Sequence, residues 1–298
     1  MKLLFVGSRS AQSAASLAAL LASNASPDML FIDGPDSGGY GADGRLPPLI
    51  TAEDYAGVLE LAAAHGIAAT SGSSQQLQQI VQIHRPERVL VSCYPHRISP
   101  ALLESVPFGW LNIHPSLLPD YRGVNPIFWQ LRDGQAGIGV TLHRMNRLLD
   151  LGPIIDQGSF ELTDFPDYIE ICRRVGRCGV GLFLAYLENY SKGWSNESKQ
   201  DAESGSRQGH PRPEDFAIDP DWSARRVVRF VKGVRGLGVP FLETHAGRDP
   251  IQDASLAASG HSAQPLPGER LIHCYDGSVV LRVLTRRGGE SSDQNSRG

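Results

Sequence analysis

The sequence predicts an α/β protein in which a doubly wound, mostly parallel sheet is followed by a smaller β-rich domain. Three observations lead to this fold class. Strand-like and helix-like segments alternate up to about residue 190, a polar stretch with Ala202 as its one aliphatic residue follows, and the remainder holds one helical pattern and several short apolar runs. Repeated β-α-β units form parallel sheets, because each helical crossover brings the chain back to the same end of the sheet.

The predicted strands are short apolar runs, as expected where a sheet is buried on both faces. They lie at residues 3–6, 29–32, 89–92 and 110–114, and an edge-type strand is predicted at 139–143. The predicted helices occupy residues 10–22, 54–65, 74–84, 100–105 and 168–190. Residues 34–48, rich in Gly, Pro and Asp, are predicted to form a mobile acidic loop.

Composition along the chain predicts the domain boundaries. We expect a first domain at 1–194, a polar linker at 195–209 and a second domain at 210–298. In the second domain a basic amphipathic helix is predicted at 222–234, and apolar runs follow at 239–242, 270–274 and 278–284. Asp276-Gly277 predicts a β-hairpin between the last two runs, and the polar tail from residue 288 is expected to be disordered.

The overall composition excludes several classes of protein. Of the 298 residues, 41% are hydrophobic and 20% are charged, which excludes a wholly disordered chain. The formal net charge of −4 offers no global attraction for a polyanion. No apolar run approaches the ~18 residues of a membrane span, and four scattered cysteines are too few for a disulfide framework. The first residues are expected to begin a strand rather than a secretory signal, so we expect a cytoplasmic protein with no membrane partner.

The segment from residue 110 to 157 carries the residues that indicate chemistry. Asn112 and His114 stand two apart on a predicted strand, so both project from one face at its carboxyl end, where open parallel sheets bind ligands. Asp150 follows in a Gly/Pro loop. An Asn amide can donate to a developing oxyanion, a His can donate or transfer a proton, and an Asp can orient the His. Because no Ser or Cys lies in a nucleophile elbow, this set indicates direct acyl-type transfer through a tetrahedral intermediate.

These residues belong to a longer pattern. The run Asn112-x-His114-Pro115-Ser116-Leu117-Leu118-Pro119, then Arg122-Gly123, then Leu149-Asp150-x-Gly152, resembles the signature of 10-formyltetrahydrofolate-dependent formyltransferases. That family includes glycinamide ribonucleotide transformylase, methionyl-tRNA formyltransferase and the amino-sugar N-formyltransferases. The resemblance implies a Rossmann-like first domain, an OB-like second domain and 10-formyltetrahydrofolate as the co-substrate, with no metal.

The resemblance also implies roles for single residues. Asn112, His114 and Asp150 match the family's catalytic residues: Asn112 and protonated His114 would stabilise the oxyanion, and Asp150 would keep His114 charged and assist proton transfer. The residues expected to bind the folate are Ser92, Cys93, Tyr94, Pro95, Ser116, Leu117, Leu118, Pro119, Leu149 and Gly152. The further candidates for binding the acceptor are Gly7, Ser8, Arg9 and Arg122. The first three follow a strand and begin a helix, where a phosphate can bind.

The acceptor is left open between two classes. Asn125-Pro126-x-Phe128-Trp129 resembles the formyltransferases of small, nucleotide-linked amines, and residues 34–48 lack the basic character that the tRNA enzymes share in that loop. Basic residues nevertheless cluster on the predicted helix of the second domain, at Arg225, Arg226, Arg229, Lys232 and Arg235. They could contact tRNA phosphates. The sequence therefore favours a small primary amine and leaves methionyl-tRNA as the alternative.

Other functions remain open from the sequence. A hydrolase would pass the formyl group to water, and a tRNA-interaction protein would use the second domain for binding. A catalytically silent folate- or metabolite-binding module is a further alternative, against which the complete Asn/His/Asp set argues. Outside the motif, His143 is expected to be a packed or exposed side chain rather than a ligand.

Overall fold

The computed structural model describes residues 1–34, 52–194, 197–258 and 265–284, with the backbone alone over 52–56. The predicted acidic loop, Gly34 apart, and the predicted disordered tail lie outside the described residues. The strands of the described part are β1 (Leu3–Gly7), β2 (Met29–Asp33), β3 (Ala68–Gly72), β4 (Arg88–Ser92), β5 (Trp110–His114), β6 (Arg122–Gly123), β7 (Gly137–Arg144), β8 (Ile154–Glu161), β9 (Arg207–Gln208), β10 (Phe241–Thr244), β11 (Gly247–Leu256), β12 (Glu269–Cys274) and β13 (Gly277–Val283). The helices are α1 (Ala11–Leu21), α2 (Ala52–Ala64), α3 (Ser74–His84), α4 (Pro100–Glu104), α5 (Pro126–Arg132), α6 (Tyr168–Ser191) and α7 (Ala224–Gly233).

Seven strands of the described residues form one sheet in the order β3-β2-β1-β4-β5-β7-β8. The strands from β3 to β5 are parallel, and β7 and β8 each run antiparallel to the preceding neighbour. Strands β1, β2 and β4 are buried along their whole length. The doubly wound, mostly parallel sheet predicted from the alternating pattern is thus confirmed. The chain passes from β1 to β2 on one side and later reaches β4 on the other, which leaves a crevice at the carboxyl ends of β1 and β4.

Alternate residues of β1 point into two hydrophobic cores. Leu3 and Phe5 pack on the face covered by α1 and α6, whereas Leu4 and Val6 pack on the face covered by α3 and α4. Helices α1 and α6 approach each other closely at Gly176, where an added Cβ would lie 2.6 Å from the carbonyl oxygen of Gln12. The two buried layers hold β5, and with it the candidate site, rigidly from both sides.

Four elements of this domain were not predicted from the sequence: β3, α5, β8 and the two-residue strand β6. β3 reads Ala-Ala-Thr-Ser-Gly and lies half-exposed at the edge of the sheet, so it lacks the apolar run of a buried strand. α5 has seven residues, too few to show a helical period. The prediction of an edge strand at 139–143 is wrong, because β8 pairs with β7 and takes the edge position itself.

A separate antiparallel β-rich region follows, as predicted. Within the described residues it is a four-stranded sheet in the order β10-β11-β13-β12, and α7 packs on β11 and β13. The predicted hairpin at Asp276-Gly277 is confirmed, since β12 and β13 pair from Cys274 and Gly277 onward. Its core continues into the first domain through Phe230 of α7, whose ring lies 5.9 Å from that of Phe128 on α5.

The predicted linker lies against the first domain from residue 197 onward. Strand β9 pairs with β6, and Ser198 pairs with Ile154 at the start of β8. Glu197 forms an ion pair with Arg144. We retain 1–194, 195–209 and 210–298 as a proposed division of the chain. None of the helices in the described ranges has the length and apolar character needed to cross a membrane.

Candidate active site

Asn112 and His114 lie on β5, between β4 and β7. Leu111 and Ile113 of the same strand point into the hydrophobic core on the opposite face, so strand alternation turns both polar side chains to one side. Asp150 comes from the loop between β7 and β8. The structure brings the three side chains together: Nδ1 of His114 lies 3.7 Å from Oδ1 of Asp150, and all three residues line one cavity.

The orientation of the His114 ring is held by a hydrogen bond from Nε2, the ring nitrogen that points away from Asp150. Nε2 lies 3.0 Å from the carbonyl oxygen of Tyr121, which can only accept, so Nε2 carries a proton and donates it. Nδ1 therefore faces Asp150. The 3.7 Å between Nδ1 and the carboxylate exceeds hydrogen-bond length, which leaves both groups able to contact a common partner.

The conformation of the loop between β7 and β8 fixes the position of Asp150. Its φ of +57° lies in the left-handed region, and its side chain is 7% exposed. Oδ2 accepts a hydrogen bond of 2.8 Å from the backbone N–H of Gly123, and the backbone carbonyl of Asp150 accepts one of 2.9 Å from Nε2 of Gln200. At Gly152 an added Cβ would lie 1.6 Å from the carbonyl oxygen of Arg144, so the motif Asp-x-Gly needs its glycine to let this loop close.

A second histidine lies beside the site. His143 on β7 is paired directly with Asn112 on β5, and its Nε2 lies 3.0 Å from Nδ2 of Asn112 and 3.9 Å from Oδ1 of Asp150. Burial lowers the pKa of His143 to about 4, against the opposing effect of Asp150. His143 is buried, in keeping with the expected packed side chain, but its contact with Asn112 was not predicted. Local pattern could not reveal the contact, because it arises from pairing between strands whose residues lie 31 positions apart.

The cavity lies at the crevice expected from the strand order. Its volume is about 690 Å³, within the range of small-molecule sites. The residues after β1 and β4 that line it are Ser8, Arg9, Cys93, Tyr94, Pro95, His96 and Arg97, and residues 145–149 line it from the loop before Asp150. Asp33 at the end of β2 also lines it and binds Nε2 of His96 at 2.8 Å. No group of three His, Cys, Asp or Glu side chains in the described parts of the chain is arranged to hold a metal ion.

Four of the residues predicted to bind folate line the cavity: Cys93, Tyr94, Pro95 and Leu149. Six do not, namely Ser92, Ser116, Leu117, Leu118, Pro119 and Gly152. The contact of these six with the folate stays a prediction, and several of them have contacts within the protein instead. The Ser92 hydroxyl, for example, lies in a buried cluster with Gln12 and Ser16 of α1.

The loop after His114 shows the same supporting role. The buried hydroxyl of Ser116 donates to the carbonyl of Asp120, and Thr141 on β7 donates its hydroxyl to the carbonyl of Ser116. The N–H of Leu118 donates to the same Thr141 oxygen, and Leu117 is exposed beside Gly139. This loop anchors β5 to β7 and so holds the end of the strand that carries His114.

The predicted acceptor residues divide in the same way. Ser8 and Arg9 line the cavity, whereas Gly7 packs against Ser13 of α1. Arg122 is buried, and its guanidinium donates to Gln200 and to the carbonyls of Asp201 and Ser204. Arg122 does not line the cavity, and its hydrogen bonds hold the segment after residue 197; its contact with substrate stays a prediction.

Comparison with known proteins gives three kinds of match. The sequence model of a family described as formyl transferase matches residues 47–182. The methionyl-tRNA formyltransferase of Pelobacter propionicus is 28% identical over 247 residues, which cover 80% of this chain and 77% of that protein. An N-formyltransferase from Helicobacter canadensis, solved with folinic acid and dTDP-3-aminofucose, matches the fold with a TM-score of 0.59 at 16% identity, covering 95% of this chain and all of that one. HypX from Aquifex aeolicus, solved with tetrahydrofolic acid, matches with a TM-score of 0.58 at 17% identity over 94% of this chain and 43% of its own length.

The fold and the sequence matches define an α/β enzyme that transfers formyl groups. These matches support the formyltransferase family for this chain, and the family model itself matches residues 47–182.

Proposed function

We propose that this protein transfers the formyl group of 10-formyltetrahydrofolate to a primary amine of a small acceptor. The convergence of Asn112, His114 and Asp150 in one cavity carries the proposal. Relatives of the same fold were solved with folinic acid or tetrahydrofolic acid, which supports a folate as the donor. We also propose a cytoplasmic location, in keeping with the sequence.

The proposed reaction follows from the groups present. The acceptor amine attacks the formyl carbon and forms a C–N bond, while the formyl oxygen becomes an oxyanion that an N–H of Asn112 stabilises. A protonated His114 would carry its second N–H at Nδ1, the nitrogen that faces Asp150, because Nε2 is committed to Tyr121. The bond from carbon to the folate nitrogen then breaks. The carboxylate of Asp150 takes the proton that the attacking amine loses, the oxyanion reforms the carbonyl as the bond breaks, and the departing folate nitrogen gains a proton.

The cavity walls fit a folate. Val91, Ile98 and Met145 supply apolar surface, and Tyr94 supplies an aromatic ring beside them. Residues 93–97 and 146–149 line the same space and include polar side chains. An apolar cleft bordered by a few polar groups suits a flat heteroaromatic ring system that carries hydrogen-bond donors and acceptors. We therefore propose that Cys93, Tyr94, Pro95 and Leu149 contact the folate.

The second domain gives the main argument for a small acceptor. Four arginines of the basic cluster are engaged within the protein: Arg225 stacks on Phe165, Arg226 on Trp222, Arg229 donates to the carbonyls of Gly134 and Gln135, and Arg235 pairs with Asp253. Arg226 and Arg229, held in this way between the two regions, are poorly available for a phosphate backbone, whereas Arg225 and Arg235 are exposed. Ser8 and Arg9 in the cavity, next to the N-terminus of α1, would instead suit a phosphate of a nucleotide-linked amine.

Methionyl-tRNA is the second candidate acceptor, because the relative from Pelobacter propionicus is a methionyl-tRNA formyltransferase. Purified full-length protein with 10-formyltetrahydrofolate, assayed by folate absorbance and product mass, separates the candidates. The acceptors to test are nucleotide-linked amino sugars, hydroxyornithine-type amines, methionyl-tRNA and no amine.

We expect amine-dependent turnover with a small acceptor and a formamide product. Turnover with methionyl-tRNA alone would overturn the acceptor class. Formate release that needs no amine would identify a hydrolase, and the absence of both turnover and folate binding would overturn the proposed function as a whole.

A further inference from the structure

His143 faces the catalytic amide directly. The antiparallel register of β5 and β7 pairs it with Asn112, and its Nε2 lies 3.0 Å from Nδ2 of that residue. The side chain is 2% exposed, so the contact is shielded from bulk water. A buried hydrogen bond of this length holds both side chains in a defined orientation.

The other ring nitrogen determines what Nε2 can do. Nδ1 lies 3.2 Å from the carbonyl oxygen of Arg144, and a carbonyl only accepts, so Nδ1 carries the proton. In a neutral imidazole Nε2 is then an acceptor. Burial, which disfavours the charged ring, lowers the pKa of His143 to about 4 and keeps it neutral near pH 7.

A hydrogen-bond acceptor at the position of Nε2 selects one of two orientations of the Asn112 amide. A primary amide has an NH₂ group on one side and a carbonyl oxygen on the other, and a half-turn about its last bond exchanges them. Nε2 of His143 accepts from the NH₂ group and would repel the oxygen. In the orientation with the NH₂ group towards Nε2, one N–H of Asn112 donates to His143 and the second N–H does not.

We propose that His143 is a positioning residue, which as the Nδ1-protonated tautomer orients the Asn112 amide so that its second N–H meets the oxyanion of the formyl group. The inference rests on the proposed function, in which Asn112 is that donor. His143 is not assigned a proton-transfer role, because both of its ring nitrogens are committed to protein partners. Its 3.9 Å separation from Asp150 exceeds hydrogen-bond length, and the neutral ring forms no ion pair there.

Variants of His143 separate positioning from packing. The amide oxygen of glutamine can occupy the position of Nε2 and still accept from Asn112, whereas methionine has a similar length without a strong acceptor. Asparagine is too short to reach Asn112 and keeps only the polar contact near Nδ1. Each variant is assayed as full-length protein with 10-formyltetrahydrofolate and the acceptor found active in the panel, and folding is checked by circular dichroism and thermal unfolding.

We expect His143→Met to lower kcat by roughly 10- to 100-fold, less than the ~10²–10³-fold loss of an oxyanion donor itself. KM for the folate should change by less than about threefold, and His143→Gln should restore most of kcat. The same His143→Met change in an Asn112→Ala background should have almost no further effect, because the group it positions is gone. If His143→Met does not fold, His143→Asn replaces it in the comparison with His143→Gln.

The outcomes distinguish this inference from the proposed function. If Asn112→Ala keeps activity within about tenfold, the role of Asn112 fails, and the inference fails with it. If Asn112→Ala loses activity while His143→Met does not, the inference alone is overturned. Equal losses of kcat for His143→Gln and His143→Met would also overturn the inference, because they indicate packing rather than orientation. So would additive losses when His143→Met is combined with Asn112→Ala.

Discussion

At the scale of single residues, the candidate site is a set of polar groups that are each restrained by the backbone. His114 donates to the carbonyl of Tyr121, Asp150 accepts from the N–H of Gly123, and Asn112 donates to His143. Restrained groups of this kind need little reorganisation when charge develops in a transition state. The sequence predicted three of these four side chains, because their motif is local. The fourth, His143, became visible only through strand pairing.

Asp150→Ala should abolish turnover while the fold and folate binding remain largely intact. The change removes the carboxylate beside His114 and leaves the cavity walls in place. Steady-state rates, folate binding and thermal unfolding measure the three quantities. Asp156→Asn, an exposed carboxylate on β8, is the matched control and should stay active. Activity of Asp150→Ala within about tenfold of the parent would show that its assignment is wrong.

The buried His143 should make the protein sensitive to acid. Its folded pKa of about 4 lies below the usual value of 6.5 for an unfolded histidine, so between these values the unfolded chain takes up a proton that the folded one does not. The free energy of unfolding should therefore fall as the pH drops from 6.5 towards 4, by up to about 3 kcal/mol from this group. Urea unfolding at several pH values measures it. The difference in free energy of unfolding between the parent and His143→Met should vary with pH over that interval. Parallel curves of this free energy against pH would contradict the argument.

At the scale of elements, end signals and apolar runs identify the buried framework. Ser10, Ser73 and Ser99 each cap a helix through a side-chain oxygen, and the helices they begin lie within two residues of the predicted ends. The missed strands β3 and β8 have no such local signal, whereas α5 has one, Pro126 in its first turn. Their backbone is ordered by neighbours: β3 by β2, and β8 by β7. Tertiary pairing thus overrode weak strand propensity in these segments.

The contact between α1 and α6 should tolerate no side chain at Gly176. Gly176→Ala places a Cβ 2.6 Å from a carbonyl oxygen and 2.9 Å from an amide nitrogen of α1, so the helices must separate. We expect a loss of about 1–3 kcal/mol in the free energy of unfolding. Gly181→Ala on the same helix meets open space and should be neutral or stabilising by up to about 1 kcal/mol, as alanine favours helix. Chemical denaturation of both variants checks this, and equal stability of the two would refute the packing argument.

At the scale of the whole molecule, the two regions share one hydrophobic core. Arg229 of α7 is buried and donates to the carbonyls of Gly134 and Gln135 in the first domain. Arg226 donates to the carbonyl of Arg132. A basic helix that looks from sequence like a nucleic-acid surface therefore contributes to the contact between the regions. Helical periodicity predicted the helix but could not show which of its arginines lie against another part of the chain.

Arg229→Ala should lower the free energy of unfolding by about 1–3 kcal/mol, because a buried side chain and its two hydrogen bonds to backbone carbonyls are lost. Arg225→Ala on the exposed side of α7 should have a much smaller effect. Thermal unfolding compares them. If Arg229→Ala left stability unchanged but reduced the salt dependence of tRNA binding, the arginine would belong to a nucleic-acid surface instead.

The sequence by itself determined the parallel sheet and the catalytic Asn/His/Asp hypothesis, because apolar runs, capping residues and a short motif are all local properties. Tertiary structure decided which residues form the cavity wall, that His143 contacts Asn112, and that Arg122 and Arg229 bind protein carbonyls. Those outcomes depend on strand order, on register and on the return of the chain after residue 197. Each contact joins residues far apart along the chain, and no local pattern specifies which distant partner a buried polar group will find.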